Sequence, residues 1–383
     1  MPLAVTTLTT EHDLESLEGP WRDLLGRTGN DLPFLLPEWG LSWWRCFRQD
    51  AALIRDSLRI KVVRDASGEV LGILPLMQTE RPGFGPLRAR TLALLGTDRY
   101  VTEMRGPIVD PAHEREVARA LAADLLLDKS WDWVAWHGLD RESEFVRELD
   151  RAMPLRWGAS ETASVLTLAP TWEAFRSGLK RNIKESLRRC TNSLKRDGLT
   201  ARLVVAEERA DVDRALDTFF VLHGKRAHEE SGPPHPDRFA ADKPRRFLRQ
   251  VCERLAGPGG ARVFTLLVND EAVASRVAFV MPRCLYLYYS GYEPAWRKYS
   301  VATTLVAEAI KYAMGLGLPR LHLSMGQDVS KSRWGPETSL RHDAVWASPR
   351  SSSRAALWLY SRGRDSLAAD STIGHMLPQR RFD

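Results

Sequence analysis
The sequence predicts a mixed α/β protein made of two tandem lobes, each a mixed central sheet flanked by helices. Three observations predict it. The chain has 383 residues, more than one hydrophobic core usually serves, so two domains are expected. Its composition, 44% hydrophobic and 27% charged, is that of an ordinary globular protein. The order of its elements repeats approximately once, and a repeat of this length means duplication of a whole lobe, since solenoid units are only about 20–50 residues long.

The elements follow in order. FLLPEWGLSWWRCF (34–47) sets Trp39 and Trp43 one helical turn apart, which predicts a helix with a buried face. RIKVVRDASGEVLGILPLM (59–77) is two apolar runs around a turn-prone stretch, a β-hairpin signal. A helix over 114–128 follows, with Val117, Leu121 and Leu125 on one face, and then a strand over 131–139. The second copy has a hairpin over 262–281 turning at Asn269-Asp270, a helix over 301–317 carrying Leu305, Ala309 and Tyr312, and a strand over 320–326. Gly315 and Gly317 stop that helix.

Between the copies lie a strand over 164–168 and a helix over 171–198, with Phe175, Leu179, Ile183, Leu187, Cys190 and Leu194 on one face. Arg176, Lys180, Arg181, Lys184, Arg188, Arg189, Lys195 and Arg196 occupy the other faces; such a strip reads as a solvated surface or as a dock for an anionic carrier or RNA. Two helices follow, at 212–230 and 237–255, broken by SGPPHP (231–236), a loop suited to an active-site rim. A helical turn over 355–360 leads into a loose tail. The lobes are expected at 1–160 and 161–350, with 351–383 as the tail.

The chemistry is first bounded by exclusion. No GxxxxGK[ST] loop, GxGxxG after a strand, HExxH or GxSxG is present. The four cysteines, Cys46, Cys190, Cys252 and Cys284, have neither CxxC nor metal spacing, so no metal is expected and they read as thiols in a reducing cytoplasm. No run reaches membrane-spanning length, and the first residues do not read as a signal peptide. A net charge of +6 suits a polyanionic partner or a phosphorylated cosubstrate.

The segment from Tyr286 to Trp334 supplies Gly291, Pro294, Ser300-Val301-Ala302, Gly317, Gly326 and Lys331 in sequence. With LHGKRAHEESG (222–232), which carries His223 and Arg226, it resembles the FemAB-related branch of GNAT-type acyltransferases, the cellulose-biosynthesis-like proteins. FLLPEWGLSWWRCF (34–47) and TDRYVTEMRGPIVDP (97–111) are similar to the family's N-terminal element and mid-lobe strand, so the resemblance covers most of the chain. The chain departs from the family pattern in offering His322 near the usual strand aspartate, Ala302 for a glycine, and Gly224-Lys225 after the central histidine.

The resemblance implies two adjacent strands that splay apart to admit the pantetheine arm of an acyl thioester. Arg297, Lys298, Ser300, Val301, Ala302, Thr303 and Thr304 cover the following helix start, where unpaired N–H groups and a partial positive charge favour a phosphate. Acyl transfer to an amine needs a base and stabilisation of an oxyanion. Candidate bases are His223 first, then His228, Glu229, His322 and Asp328; Tyr292 is placed to protonate the departing thiolate, and Arg226, Glu229 and Lys331 to bind substrate. The expected activity is N-acyl transfer from acyl-CoA or an acyl-carrier protein, neither tightly bound, to the amine of a small molecule, peptide or sugar. Pro111-Ala112-His113 stands where the first lobe would need its own helix start, so that lobe is expected to be a degenerate copy shaping the acceptor cleft. The alternatives are an aminoacyl-tRNA dependent peptidyltransferase, with tRNA as the only nucleic-acid partner, and a non-catalytic assembly factor.

Overall fold
The computed structural model describes residues 3–82, 88–98, 101–229 and 235–369. The chain divides into two compact units, one of Met1–Asn30, Phe34–Glu161 and Leu340–Asp383, the other of Asp31–Pro33 and Thr162–Ser339.

In the first unit, a four-stranded antiparallel sheet orders Ala4–Leu8, Ile60–Arg64, Val70–Leu74 and Ile108–Val109. The hairpin expected over 59–77 is its centre, with Lys61 opposite Leu74. Pro75, which has no N–H to give a ladder, separates Val70–Leu74 from Leu76–Arg81, and the latter strand joins a second sheet with Ala89–Leu94. Ala89–Leu94 runs parallel to Trp133–Leu139, paired at Thr91–Trp133, Leu92–Val134 and Ala93–Ala135. The helix Glu114–Leu127 lies between them in sequence and buries Val117, Leu121 and Leu125. Trp131, Trp136, Leu92, Leu94, Phe145 and Leu149 complete this core.

The strand Glu337–Ala347 pairs with Trp133–Leu139, Trp346 opposite Val134. The helix Ser351–Ala369 follows it, where sequence suggested a single turn; Ser353 bonds Asp132 at 2.9 Å and the Tyr360 ring lies tilted against Trp133, 5.2 Å between centres. Residues 340–350 thus group with the first unit, whereas the sequence reading ran the second lobe to 350. A strand returning to its partner after a whole intervening unit leaves no local signal. Residues 370–383 of the expected tail lie outside the described residues.

The second unit has a sheet in the order Ala201–Ala206, Ala261–Val268, Glu271–Met281, Cys284–Tyr292, Arg320–Met325 and the 162–167 stretch of Arg156–Thr167. Asn269 and Asp270, both at positive φ, make the tight turn of its hairpin. Val301–Gly315 and Arg181–Arg196 cover one face, burying Leu305, Ala309 and Ile310 with Ile183, Cys190 and Leu194 against Phe264, Leu285 and Leu321. The helix expected over 171–198 is two, Trp172–Gly178 and Arg181–Arg196, because Leu179 and Lys180 between them are extended. The pair expected at 212–230 and 237–255 forms at Arg209–Ala227 and Asp242–Leu255. Each unit therefore repeats one motif: a strand, a crossover helix, and a parallel strand joined to the first by three residue pairs.

Candidate active site
The sheet of the second unit forks at one place. Cys284–Tyr292 and Arg320–Met325 pair in parallel at Cys284–Arg320, Leu285–Leu321 and Tyr286–His322, and the pairing goes no further. Each strand keeps its outer neighbour by absorbing an irregularity, which bends it away from the other. On Cys284–Tyr292, Ala278 faces Leu287 but Arg276 faces Ser290. On Arg320–Met325, the register to Arg156–Thr167 shifts between Ala163 and Val165, and Ser324 adopts a φ of 70°. A non-glycine residue held there is uncommon and marks a locally determined backbone. Tyr286 and His322 stack at 4.6 Å in the crotch of the fork.

Beyond the fork the chain makes a short 3-10 turn, Pro294–Tyr299, and enters the helix at Val301. Ser300 is the N-cap, at φ 55° and ψ 36°, and gives no side-chain cap. The N–H groups of Thr303 and Thr304 bond the Ser300 carbonyl at 3.0 and 3.1 Å. Val301 and Ala302 lead the helix, so its positive end is presented without a carboxylate cap. Two cations flank the turn: the Lys298 ammonium lies 4.9 Å from the Tyr299 ring centre, and the Arg297 guanidinium bonds Glu229 at 2.9 Å.

The basic helix Arg181–Arg196 braces this turn. Thr304 donates to the Cys190 sulfur at 2.9 Å, and the Tyr299 hydroxyl donates to Asp197 at 2.7 Å. Arg196 and that hydroxyl hold the Asp197 carboxyl down at about 2. Arg188, Arg189, Lys195 and Arg196 are exposed. The strip read from sequence is thus solvated and packed against the start of the helix that follows the fork.

A second cluster gathers on the helix Arg209–Ala227. Its His223 is fully buried. The ring Nδ1 lies 3.0 Å from the Ser290 carbonyl, and Nε2 accepts the Arg238 N–H at 3.3 Å, an arrangement met by the neutral Nδ1–H tautomer. Burial, ahead of every other influence, holds its pKa below the ordinary histidine value. His223, the first choice of base from sequence, is packed in the interior with both ring nitrogens engaged and neither meeting solvent. The exposed His228 merely bonds back to the Gly224 carbonyl, at 2.7 Å.

Arg226, one turn on from His223, bonds the Ser290 hydroxyl at 2.9 Å and lies over the Tyr292 ring. Burial pushes its pKa down. Glu229 accepts the Tyr292 hydroxyl at 2.5 Å as well as Arg297, so its carboxylate links the helix start to the end of the forked strand. Burial and the bond to Glu229 raise the Tyr292 pKa. On the other arm of the fork, Asp328 caps the short helix Val329–Ser332, accepting the Lys331 N–H at 3.0 Å and the Ser330 hydroxyl at 2.5 Å. Burial alone would raise Asp328, but Ser330 and Lys331 hold it below the usual carboxylate range. The Lys331 ammonium bonds the Met325 and Gly326 carbonyls, so it stiffens the turn after the strand.

The structure thus gathers Arg226, Glu229, Tyr292 and Arg297 and sets Tyr286 with His322 at the fork. Three residues that sequence reading passed over complete the cluster: Arg276, whose Nη2 bonds the Ser290 hydroxyl at 3.0 Å, Ser290 itself, and the half-buried His235. Arg276 had a signal, being the one charge in the otherwise apolar strand interior AVASRVAFVM. Among the described residues no group of histidine, cysteine and carboxylate side chains is placed to hold a metal ion. Nor is any described helix long and apolar enough to cross a membrane.

Residues 181–332 match the family profile of the acetyltransferase (GNAT) domain. No curated protein matches the chain. Among solved structures, FemX aligns at a TM-score of 0.58 with 12% identity, covering 90% of this chain and 97% of that one. The C-terminal domain of a putative lysylphosphatidylglycerol synthetase from Agrobacterium fabrum aligns at 0.51 with 13% identity, covering 91% and 96%. A tandem GNAT protein from the clavulanic acid biosynthesis pathway aligns at 0.47 with 14% identity, covering 91% and 100%. At such identities the likeness to FemX and to the synthetase domain is one of fold. The stretch that matches the acetyltransferase (GNAT) domain profile, residues 181–332, is the one that carries the fork, the helix start beyond it and the basic helix that braces that start.

Proposed function
We propose that the second unit is an N-acyltransferase that moves an acyl group from acyl-CoA, or from an acyl-carrier protein, directly to an amine. The observation that carries this reading is the fork: a parallel strand pair that ends after three residue pairs and is followed at once by an uncapped helix start with two cations beside it. A gap between strands leaves backbone N–H and C=O groups for an extended, amide-bearing arm such as pantetheine. Ser300 to Thr304 would take its phosphates, with Arg297 and Lys298 adding charge.

In the reaction the amine nitrogen attacks the thioester carbonyl carbon, a C–N bond forms, the C–S bond breaks and the thiolate departs. His322 takes the amine proton, since it stacks on Tyr286 in the last parallel pair of the fork. Tyr292 stays protonated at neutral pH and supplies the thiolate with a proton. Asp328 and Lys331 fix the turn that closes the far arm. Residues 1–160 act as a non-catalytic copy: Glu114 and Glu116 occupy the first turn of the helix Glu114–Leu127, where they would repel a phosphate.

The test is calorimetric titration with CoA and acetyl-CoA. Saturable binding weakened at least about ten-fold, about 1.4 kcal/mol, in the double variant Arg297→Ala/Lys298→Ala is expected. Equal binding by variant and parent would remove the donor site. A second reading, transfer from aminoacyl-tRNA, draws on the exposed basic helix Arg181–Arg196; it predicts salt-sensitive tRNA binding and no response to CoA.

A further inference from the structure
The guanidinium groups of Arg226 and Arg276 converge on one hydroxyl, that of Ser290, at 2.9 and 3.0 Å. Ser290 lies on the forked strand beyond its last parallel pair, Tyr286 with His322. It pairs with Arg276, whose strand neighbours Ala274 and Ala278 pack with the helix Val301–Gly315, and Arg226 reaches it from the end of the helix Arg209–Ala227. The pair of arginines therefore borders the fork beside Tyr292 and Glu229, separate from the Ser300 to Thr304 stretch assigned to the donor phosphates.

Two guanidinium groups so close repel each other, and burial withdraws the water that would screen them. Glu229 and Asp328 act on Arg226 only from beyond ion-pair distance, and its Nε and Nη2 bond no described residue. That free edge is the planar fork that receives a carboxylate or phosphate in bidentate fashion. The neighbouring imidazole of His235 points to the same field: its pKa is pushed down to about 3, first by burial and then by Arg226, His223, Arg238 and Arg276, with no carboxylate among the causes.

We propose that Arg226 and Arg276 bind an anionic group of the acceptor, so that the amine acylated here belongs to a molecule that also carries a carboxylate or a phosphate. The proposal rests on the acyl-transfer reading for the identity of the reacting amine, but the anion site itself is tested by binding alone. Ser290 and the strand hold the two guanidinium groups in place, and the anion sets the reach of the amine toward the thioester at the fork.

The experiment is calorimetry on the full chain saturated with CoA, using matched pairs: L-amino acids against their carboxamides, and 2-aminoethyl phosphate against 2-aminoethanol. At least one anionic member is expected to bind ten-fold or more tighter than its neutral partner, and the carboxylate and phosphate arms show which anion is preferred. Arg226→Gln and Arg276→Gln should each abolish that difference while leaving the neutral partner's affinity and CoA binding unchanged; Arg226→Lys should restore part of it. Equal affinity within every pair, or no binding by any anionic member at millimolar concentration, overturns the proposal. Either result leaves the donor reading standing, since that depends on the Arg297 and Lys298 titration. Should the glutamine variants fail to fold, the matched-pair comparison in the parent protein decides alone.

Discussion
Gly291 offers the sharpest test of how the forked strand is held. It lies on Cys284–Tyr292 opposite Ser275, backed against the helix Arg209–Ala227. A Cβ added there would sit 2.2 Å from the His223 nitrogen, 2.3 Å from the Leu222 carbonyl carbon and 2.6 Å from the His223 Cα. All three are backbone atoms, so no side-chain rotation relieves the clash. Non-bonded carbon contacts settle at about 3.5–4.0 Å, so Gly291→Ala must part strand and helix by more than about 1 Å. That stretches the His223–Ser290 bond, now 3.0 Å, at a cost of about 1 kcal/mol. Overpacking adds about 1–3 kcal/mol. The sum, about 2–4 kcal/mol, lowers the melting temperature by roughly 4–16 °C for a unit of this size. The assay is a thermal melt followed by calorimetry, with Gly315→Ala as control. A Cβ at Gly315 meets nothing within 4 Å, and alanine at that helix end should be neutral or stabilising by up to about 1 kcal/mol. A Gly291→Ala melt within about 2 °C of the parent, less than 1 kcal/mol of change, would refute the close approach of strand and helix.

Other outcomes follow from the same geometry. The folded pKa values of His223 and His235 both lie below the ordinary histidine value, burial being the first cause in each, and His235 sits at about 3. The unfolded chain takes up those protons near about pH 6.5, so it binds more protons than the native state below that pH. Their contribution to stability is therefore complete above about pH 6.5 and declines as pH falls toward the folded values. The denaturant midpoint should fall less between neutral and acid pH in His235→Gln than in the parent, and an equal fall would count against the buried neutral ring. His322→Gln should lower kcat far more than it alters CoA affinity and remove the acid limb of the pH–rate profile, whereas a normal profile would shift the base elsewhere. Burial raises the Cys190 and Cys252 thiols and pushes Cys284 up to about 12. All four cysteines are buried, so a disulfide thiol reagent should label none until the chain unfolds. Rapid labelling of native protein would contradict that packing.

Periodicity alone determined the local elements. The turn at Asn269-Asp270, the apolar stripes of Val117, Leu121 and Leu125 and of Leu305 and Ala309, and the repeat of strand, helix and strand are short-range patterns, and local conformation answers to them. The resemblance carried the helix start at Ser300 to Thr304 in the same way, because a cap and a run of small residues are contiguous in sequence. Tertiary packing decided the rest. His223 and Arg226 stand three residues apart on one helix, yet one is sealed beneath Ser290 and Gly291 while the other keeps an open guanidinium edge. Arg276 and Ser290 become a pair only through the register of two strands, and a one-residue bulge sets that register. The break at Leu179-Lys180 and the return of Glu337–Ala347 to Trp133–Leu139 likewise depend on partners remote in the chain. A side chain's period tells which face it takes, but the burial and charge it meets there belong to residues that only folding brings near.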